Sequence, residues 1–201
     1  MFLVVLPLLS LVLLLMFYIY RNYTQKRTAN KQLEEKNLVI EKQKKLVEEK
    51  NVKISDSITY AKRIQQATLP SEELIKSVFP DSFVLFLPKD IVSGDFYWYS
   101  GLQTSETQLI VVADCTGHGV PGAFMSMIGN TLLNEIVNVK GIYSPAKILN
   151  ELNKGIVSLL NQSSGTSDTQ DDGMDVTVVA VNKKTNEMEY AAANHFSYLI
   201  S

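Results

Sequence analysis

The first twenty residues, MFLVVLPLLSLVLLLMFYIY, carry no charge, and only Pro7 and Ser10 interrupt the apolar run. Twenty helical residues rise about 30 Å, the thickness of a bilayer's hydrocarbon core. Tyr18 and Tyr20 stand where interfacial aromatics would, and Arg21, Lys26, Arg27 and Lys31 come directly after. The pattern predicts a single-pass transmembrane helix over residues 1–20, with the remainder on the cytoplasmic side of the inner membrane by positive-inside bias. A cleaved signal peptide would want a basic segment before the run and small residues after it, and the sequence has neither. The chain starts almost inside the expected bilayer, which points to a longer protein with something upstream.

Charge divides the remainder of the chain. Residues 21–53 hold ten Lys/Arg and five Glu, a local net of +5, while residues 54–201 carry −7, giving the overall −2. That balance excludes a generally basic nucleic-acid binder, and the single cysteine, Cys115, excludes an intramolecular disulfide framework. Within the basic stretch Leu33, Ile40, Val47 and Ile54 recur every seven residues, and Asn37, Lys44 and Asn51 fill the alternate seam position. This spacing predicts a parallel coiled coil over residues 21–55, and hence a homodimer, whose polar seam residues set register at some cost in stability. A solvated charged helix is the plainer alternative. The lysines next to the bilayer are also placed to meet anionic lipid heads.

Residues 56–201 read as one mixed globular domain. Asp56–Leu69 continues as a helix that Pro70 ends. Strands are expected at Phe83–Leu87, Ser93–Tyr99 and Gln108–Asp114, the last a buried one by its continuous apolar run. Helices are expected at Gly119–Val137 and Ser144–Leu160, the second with Ser144 as N-cap and Pro145 at its first position. A polar loop covers 161–173, followed by strands Met174–Asn182, Glu187–Ala193 and Phe196–Ile200. Helices grouped between runs of strands indicate an α+β layered sandwich.

Two segments could carry chemistry. In VVADCTGHGVPGAF, residues 111–124, an apolar strand delivers Asp114 to a glycine-rich turn that leads into a helix. Gly117, Gly119 and Gly122 allow close backbone approach to an ion or oxyanion. On spacing alone the segment reads equally well as a ligand site and as an ordinary strand–turn–helix in which Asp114 caps the helix. In KDIVSGDFYWYS, residues 89–100, Asp95 lies inside an aromatic strand, an expensive place for a carboxylate unless it is paired or metal-bound. Two buried aspartates at strand ends next to glycine suggest a hard divalent cation held by oxygen ligands. One Cys and two His form no recurrent zinc spacing. His118 reads as a residue shaping its turn, His195 as structural, and Cys115 as a donor through its backbone carbonyl, with no electropositive neighbours to make its thiol reactive.

Ser93-Gly94-Asp95-Phe96-Tyr97-Trp98, taken with Asp114-Cys115-Thr116-Gly117-His118-Gly119-Val120-Pro121-Gly122-Ala123, resembles the SpoIIE-type branch of the PPM (metal-dependent serine/threonine) phosphatases. Ser57–Ala67 with Leu69-Pro70 is similar to the helix entering this domain in membrane-linked members. Asp172-Gly173-Met174-Asp175 and Tyr190–Asn194 also fit. The resemblance implies an α-β-β-α sandwich and a two-metal phosphoester hydrolase using Mn²⁺ or Mg²⁺. In it Asp95 and Asp114 are the catalytic, metal-holding residues: Asp114 bridges the ions, the Cys115 carbonyl completes one coordination sphere, and Asp95 takes the first-motif acidic position. Asp172 would be an outer metal or substrate contact, with Asp175 of similar status. The substrate would be a phosphoserine or phosphothreonine in a cytoplasmic protein of the anti-anti-sigma kind.

The departure is downstream. The family carries two further metal-binding aspartates, in T-D-G and D-D-x-T segments, and neither occurs before Ser201. A sandwich incomplete at its C-terminus, an open sheet edge after residue 200 and weak or no turnover of the chain as given are the expectations. The alternative function is a non-catalytic coiled-coil dimer whose phosphatase-like domain binds a phosphoprotein. A sensor kinase fits poorly, because both histidines lie beyond residue 117.

Overall fold

A computed structural model describes residues 2–101, 106–160 and 172–198, with side chains from residue 8 onward. The chain divides into two compact units, Met1–Ser55 and Asp56–Ser201.

The first unit is helical throughout. Helix α1 begins at Phe2 and runs to Thr68, with no glycine and with Pro7 as its one proline. It stops where Pro70 disfavours helical dihedrals at the preceding residue. Leu33, Ile40, Val47 and Ile54 are all exposed on it, an unburied apolar stripe of the kind that seeks a partner helix. The transmembrane helix expected over residues 1–20 draws on residues 1–7, which lie outside the described side chains. Among the described residues no helix is long and apolar enough to cross a membrane.

The second unit is α+β, as the sequence indicates. Four antiparallel strands, β1 (Phe96–Ser100), β2 (Thr107–Cys115), β3 (Met174–Asn182) and β4 (Glu187–Ala193), form one sheet in the order β1-β2-β3-β4. Helices α3 (Gly119–Leu133) and α4 (Pro145–Leu159) pack on one face of it, α3 against β2 and α4 against β3 and β4. Strand period two sorts the side chains. Leu109, Val111, Ala113 and Cys115 of β2 and Val176 and Val178 of β3 face the helices, meeting Leu133, Ile136, Ile148 and Leu152 in one core.

Several expectations need correction. Gln108–Asp114 is not buried on both sides: Val112 and Asp114 are exposed, because helices cover only one face. The described residues form one helical layer on one sheet, half of the layers of the expected α-β-β-α sandwich. Phe83–Leu87 joins no sheet; it runs as an extended strap with Phe83, Leu85 and Leu87 exposed and Phe86 edge-on to Tyr97 at 5.7 Å. Among the described residues no strand pairs with it. Phe196–Tyr198 is likewise outside any strand, and residues 199–201 lie beyond the described ones, as does most of the expected polar loop, 161–171. A short helix absent from the sequence-based expectations, α2 (Glu72–Val78), is capped by Ser71, whose hydroxyl accepts the Leu74 N–H at 3.2 Å. The long third helix changes to a π-helical turn at Asn134–Val139, where Lys140 N–H reaches back to the Glu135 carbonyl at 2.9 Å. There Asn134 Oδ1 accepts from Trp98 Nε1 at 3.4 Å and from Asn138 Nδ2 at 2.9 Å. Ser144 and Pro145 open α4, though the serine side chain makes no capping bond.

The fit of α3 to the sheet depends on Gly129, where a β-carbon would meet the Phe96 ring at 2.8 Å and the Met174 methyl at 3.0 Å. Gly129→Val is expected to destabilise the domain by about 1–3 kcal/mol through overpacking, measured as a shift in urea unfolding midpoint; an unchanged midpoint would show that the helix can lift without cost.

Candidate active site

Asp95 and Asp114 are brought together by strand pairing. Phe96 lies opposite Ala113 in the β1–β2 ladder, so one step further along the same register Asp95 meets Asp114. Phe96 and Ala113 point into the core, and period two therefore turns both carboxylates to the opposite face. The β2–β3 ladder sets Asp114 opposite Asp175. Beyond the Val176–Ala193 pair of β3 and β4, Asn194 Nδ2 donates to Asp175 Oδ2 at 2.9 Å. Asp95, Asp114, Asp175 and Asn194 thus form one row at this end of the sheet, with Asp95 just before β1 and Asn194 just after β4. By sequence Asp175, at the start of the expected strand Met174–Asn182, ranks only with Asp172 as an outer contact; the signal that distinguishes it is its register against Asp114, which needs the β2–β3 pairing to be known.

Both central aspartates are exposed rather than buried, because no second layer covers this face among the described residues. They stand at one side of a cleft of about 740 Å³ whose wall also includes Tyr97, Val112, Phe86 and His195. The Asp95 carboxyl is held above the usual carboxylate range by partial enclosure, then by its hydrogen bond to Asp114 and the negative charge there. The Asp114 charge thus disfavours ionisation of Asp95. A cation between them would remove the conflict.

The glycines bring the two motifs into backbone contact. A β-carbon at Gly94 would lie 2.8 Å from the Gly117 carbonyl oxygen and 3.2 Å from that of Cys115, and one at Gly122 would lie 2.6 Å from Gly117 O and 3.0 Å from Gly94 Cα. Gly117 itself has φ +85°, open to glycine at little cost. Asp114 does not cap α3. The residue before α3 is His118, which makes no side-chain cap bond and pairs instead through Nδ1 with Asp90 Oδ2 at 2.8 Å. His195 Nδ1 bonds Thr177 Oγ1 at 2.8 Å. The Cys115 thiol is buried and its pKa pushed up to about 12, by burial first and then by Asp114 and Asp95, so only its backbone is available for chemistry. Asp172 does not line the cleft; its neighbour Gly173 is tied to Thr116 by bonds in both directions, at 3.0 Å each.

The donor set, two carboxylates and a carbonyl, suits a hard cation by its chemistry. It is a partial set: among the described residues no group of three or more His, Cys, Asp or Glu side chains could hold a metal ion.

A raised folded-state pKa at Asp95 favours folding while the group is protonated, and that contribution is lost as pH rises through the folded value. Metal-free Asp95→Asn should therefore melt higher than the unaltered chain at neutral pH, with the difference vanishing below the carboxylate range. Thermal unfolding across pH checks this, and a lower melting temperature at neutral pH would contradict the repulsion.

Residues 104–201 match the family Stage II sporulation protein E (SpoIIE). No curated protein is significantly similar to the chain. Among solved structures the SiaA-PP2C domain of Pseudomonas aeruginosa is similar at 35% identity with a TM-score of 0.62, over 71% of this chain and 55% of that one. The chain therefore spans little more than half of that structure. The sheet, the glycine-linked motifs and these two likenesses agree: residues 104–201 are similar to the SpoIIE family, and the domain to a PP2C domain, which supports a SpoIIE/PPM-type phosphatase.

Proposed function

We propose that this protein is a membrane-tethered, metal-dependent phosphatase that hydrolyses phosphoserine or phosphothreonine in a cytoplasmic partner protein. The observation that carries the proposal is the Asp95–Asp114 pair, two carboxyl groups set side by side by strand register at the wall of an open cleft. Asp95, Asp114 and the Cys115 carbonyl would hold Mn²⁺ or Mg²⁺, which when bound acidifies water and offsets charge on the phosphoryl group. The chain's own part is to fix the two carboxylates through the sheet, to keep the Cys115 thiol protonated and out of the reaction, and to offer the aromatic wall of Tyr97 and Phe86 to the substrate chain. No covalent protein nucleophile enters. The similarity to a PP2C domain supports a phosphoprotein as substrate, and one of the anti-anti-sigma kind is the partner proposed.

The same proposal includes a second sheet over the outer face, where Val112 is exposed beside the strap, and a homodimer through the Leu33–Ile54 stripe. The apolar run of residues 1–20 supports the anchor in the cytoplasmic membrane. Helix α1 is unbroken from Phe2 to Thr68, so a change in dimer packing has a continuous path toward the domain.

Mn²⁺-dependent release of p-nitrophenol from its phosphate ester by the full-length protein tests the activity. Asp114→Ala should lower it about a hundredfold or more, since several kcal/mol of charge stabilisation are removed; retained activity would strip Asp114 of its role. Inserting two residues within 40–50 should alter the activity or its response to signal, because it rotates the downstream helix against the stripe by about 200°. Unaltered behaviour would disprove the coupling.

A further inference from the structure

Near the end of α1, Gln65 is a polar side chain only 5% exposed. Burying a carboxamide is costly unless each of its groups is bonded, and here they are. Nε2 donates to the Ser93 carbonyl oxygen at 2.6 Å and to Ser126 Oγ at 2.8 Å, while Oε1 accepts the Ser93 N–H at 3.0 Å. One side chain thus engages both backbone groups of a single residue, as a neighbouring strand would. Ser93 passes the constraint on: its Oγ accepts the Asp95 N–H at 3.0 Å. Gly94, between them, is pressed against the carbonyls of Gly117 and Cys115. Ser126 of α3 closes the arrangement, with Oγ 3.3 Å from the Ser93 carbonyl and 2.9 Å from that of Ala123.

Residues 93–95 precede β1, which begins only at Phe96, so they lie just beyond the last ladder pair, Phe96 with Ala113, and need further ties to hold the direction that pair sets. What fixes the approach to Asp95 is a side chain from α1, a side chain from α3 and glycine packing. We propose that Gln65 is a positioning residue for the cation site: its carboxamide sets the Ser93 backbone and, through Ser93, the placement of the Asp95 carboxylate beside Asp114. The inference rests on the phosphatase reading and deepens it. It also locates where the orientation of α1 meets the site, since turning the helix by one residue, about 100°, carries Gln65 off Ser93. Thr68 adds a second tie of α1 to α3, its carbonyl accepting from Asn130 Nδ2 at 3.0 Å, and Tyr97 OH reaches the Pro70 carbonyl at 3.4 Å.

The test uses the full chain with Gln65→Met, which keeps length and removes the amide, and Gln65→Glu, which keeps the acceptor for the Ser93 N–H but puts an oxygen where Nε2 donated. Mn²⁺ binding is measured by titration calorimetry, local opening by amide hydrogen exchange on the metal-free protein, and stability by thermal unfolding. Expected for both variants is a Mn²⁺ affinity about 10- to 100-fold weaker, the range for partners that orient metal ligands. Exchange should rise at residues 93–95 while β2 and β3 stay protected, and kcat should recover at saturating Mn²⁺. If either folded variant binds Mn²⁺ as tightly as the unaltered chain, or if exchange rises evenly through the sheet in step with lost stability, Gln65 is merely structural and the inference is overturned. Failure of the unaltered chain to bind Mn²⁺ instead sinks the phosphatase reading and the cation site with it, and is recognised because the variants play no part in that outcome.

Discussion

The site depends on one antiparallel register. Because Phe96 pairs with Ala113, Asp95 and Asp114 arrive side by side on the uncovered face, and a slip of one residue would send one of them into the core. The apolar residues on either side lock that register: Phe96, Trp98, Val111 and Ala113 are all buried beneath the helices. The energy of an ordinary hydrophobic core thus holds together a pair of like charges that would otherwise separate.

The pairing sets which residues meet, and the turns set how closely. Gly94, Gly117 and Gly122 stack backbone on backbone with no room for a β-carbon at the first or last, so the two motif loops touch through main-chain atoms. Thr116 and Gly173 bond reciprocally, drawing the start of β3 to the same end of the sheet. From three separate stretches of chain, polar backbone and carboxylates are gathered at one edge of the cleft, whose lining also includes the aromatic rings of Tyr97 and Phe86.

Much of this is legible from residues alone. The strands Met174–Asn182 and Glu187–Ala193 follow from alternation and turn residues and stand at those bounds. Pro70 marks the end of α1, and the glycine-rich motifs around Asp95 and Asp114 single those two residues out as candidates. The departures share a cause. Phe83–Leu87 and Gln108–Asp114 have the composition of paired or fully enclosed strands, yet whether a strand is paired or enclosed depends on what lies across from it, which composition does not encode. The π-helical turn at Asn134–Val139 starts where Asn134 meets Trp98, a contact between segments 36 residues apart.

Local pattern determined most of the element types and the glycine-rich turns and singled out the two acids as candidates, because each rests on interactions between residues near in sequence. Tertiary structure alone decided that Asp175 and Asn194 extend the acidic row, that Asp95 and Asp114 face solvent, and that Gln65 reaches Ser93. Those depend on strand register and helix placement, which are set by how distant apolar faces pack and leave no mark in the local spacing of the residues they bring together.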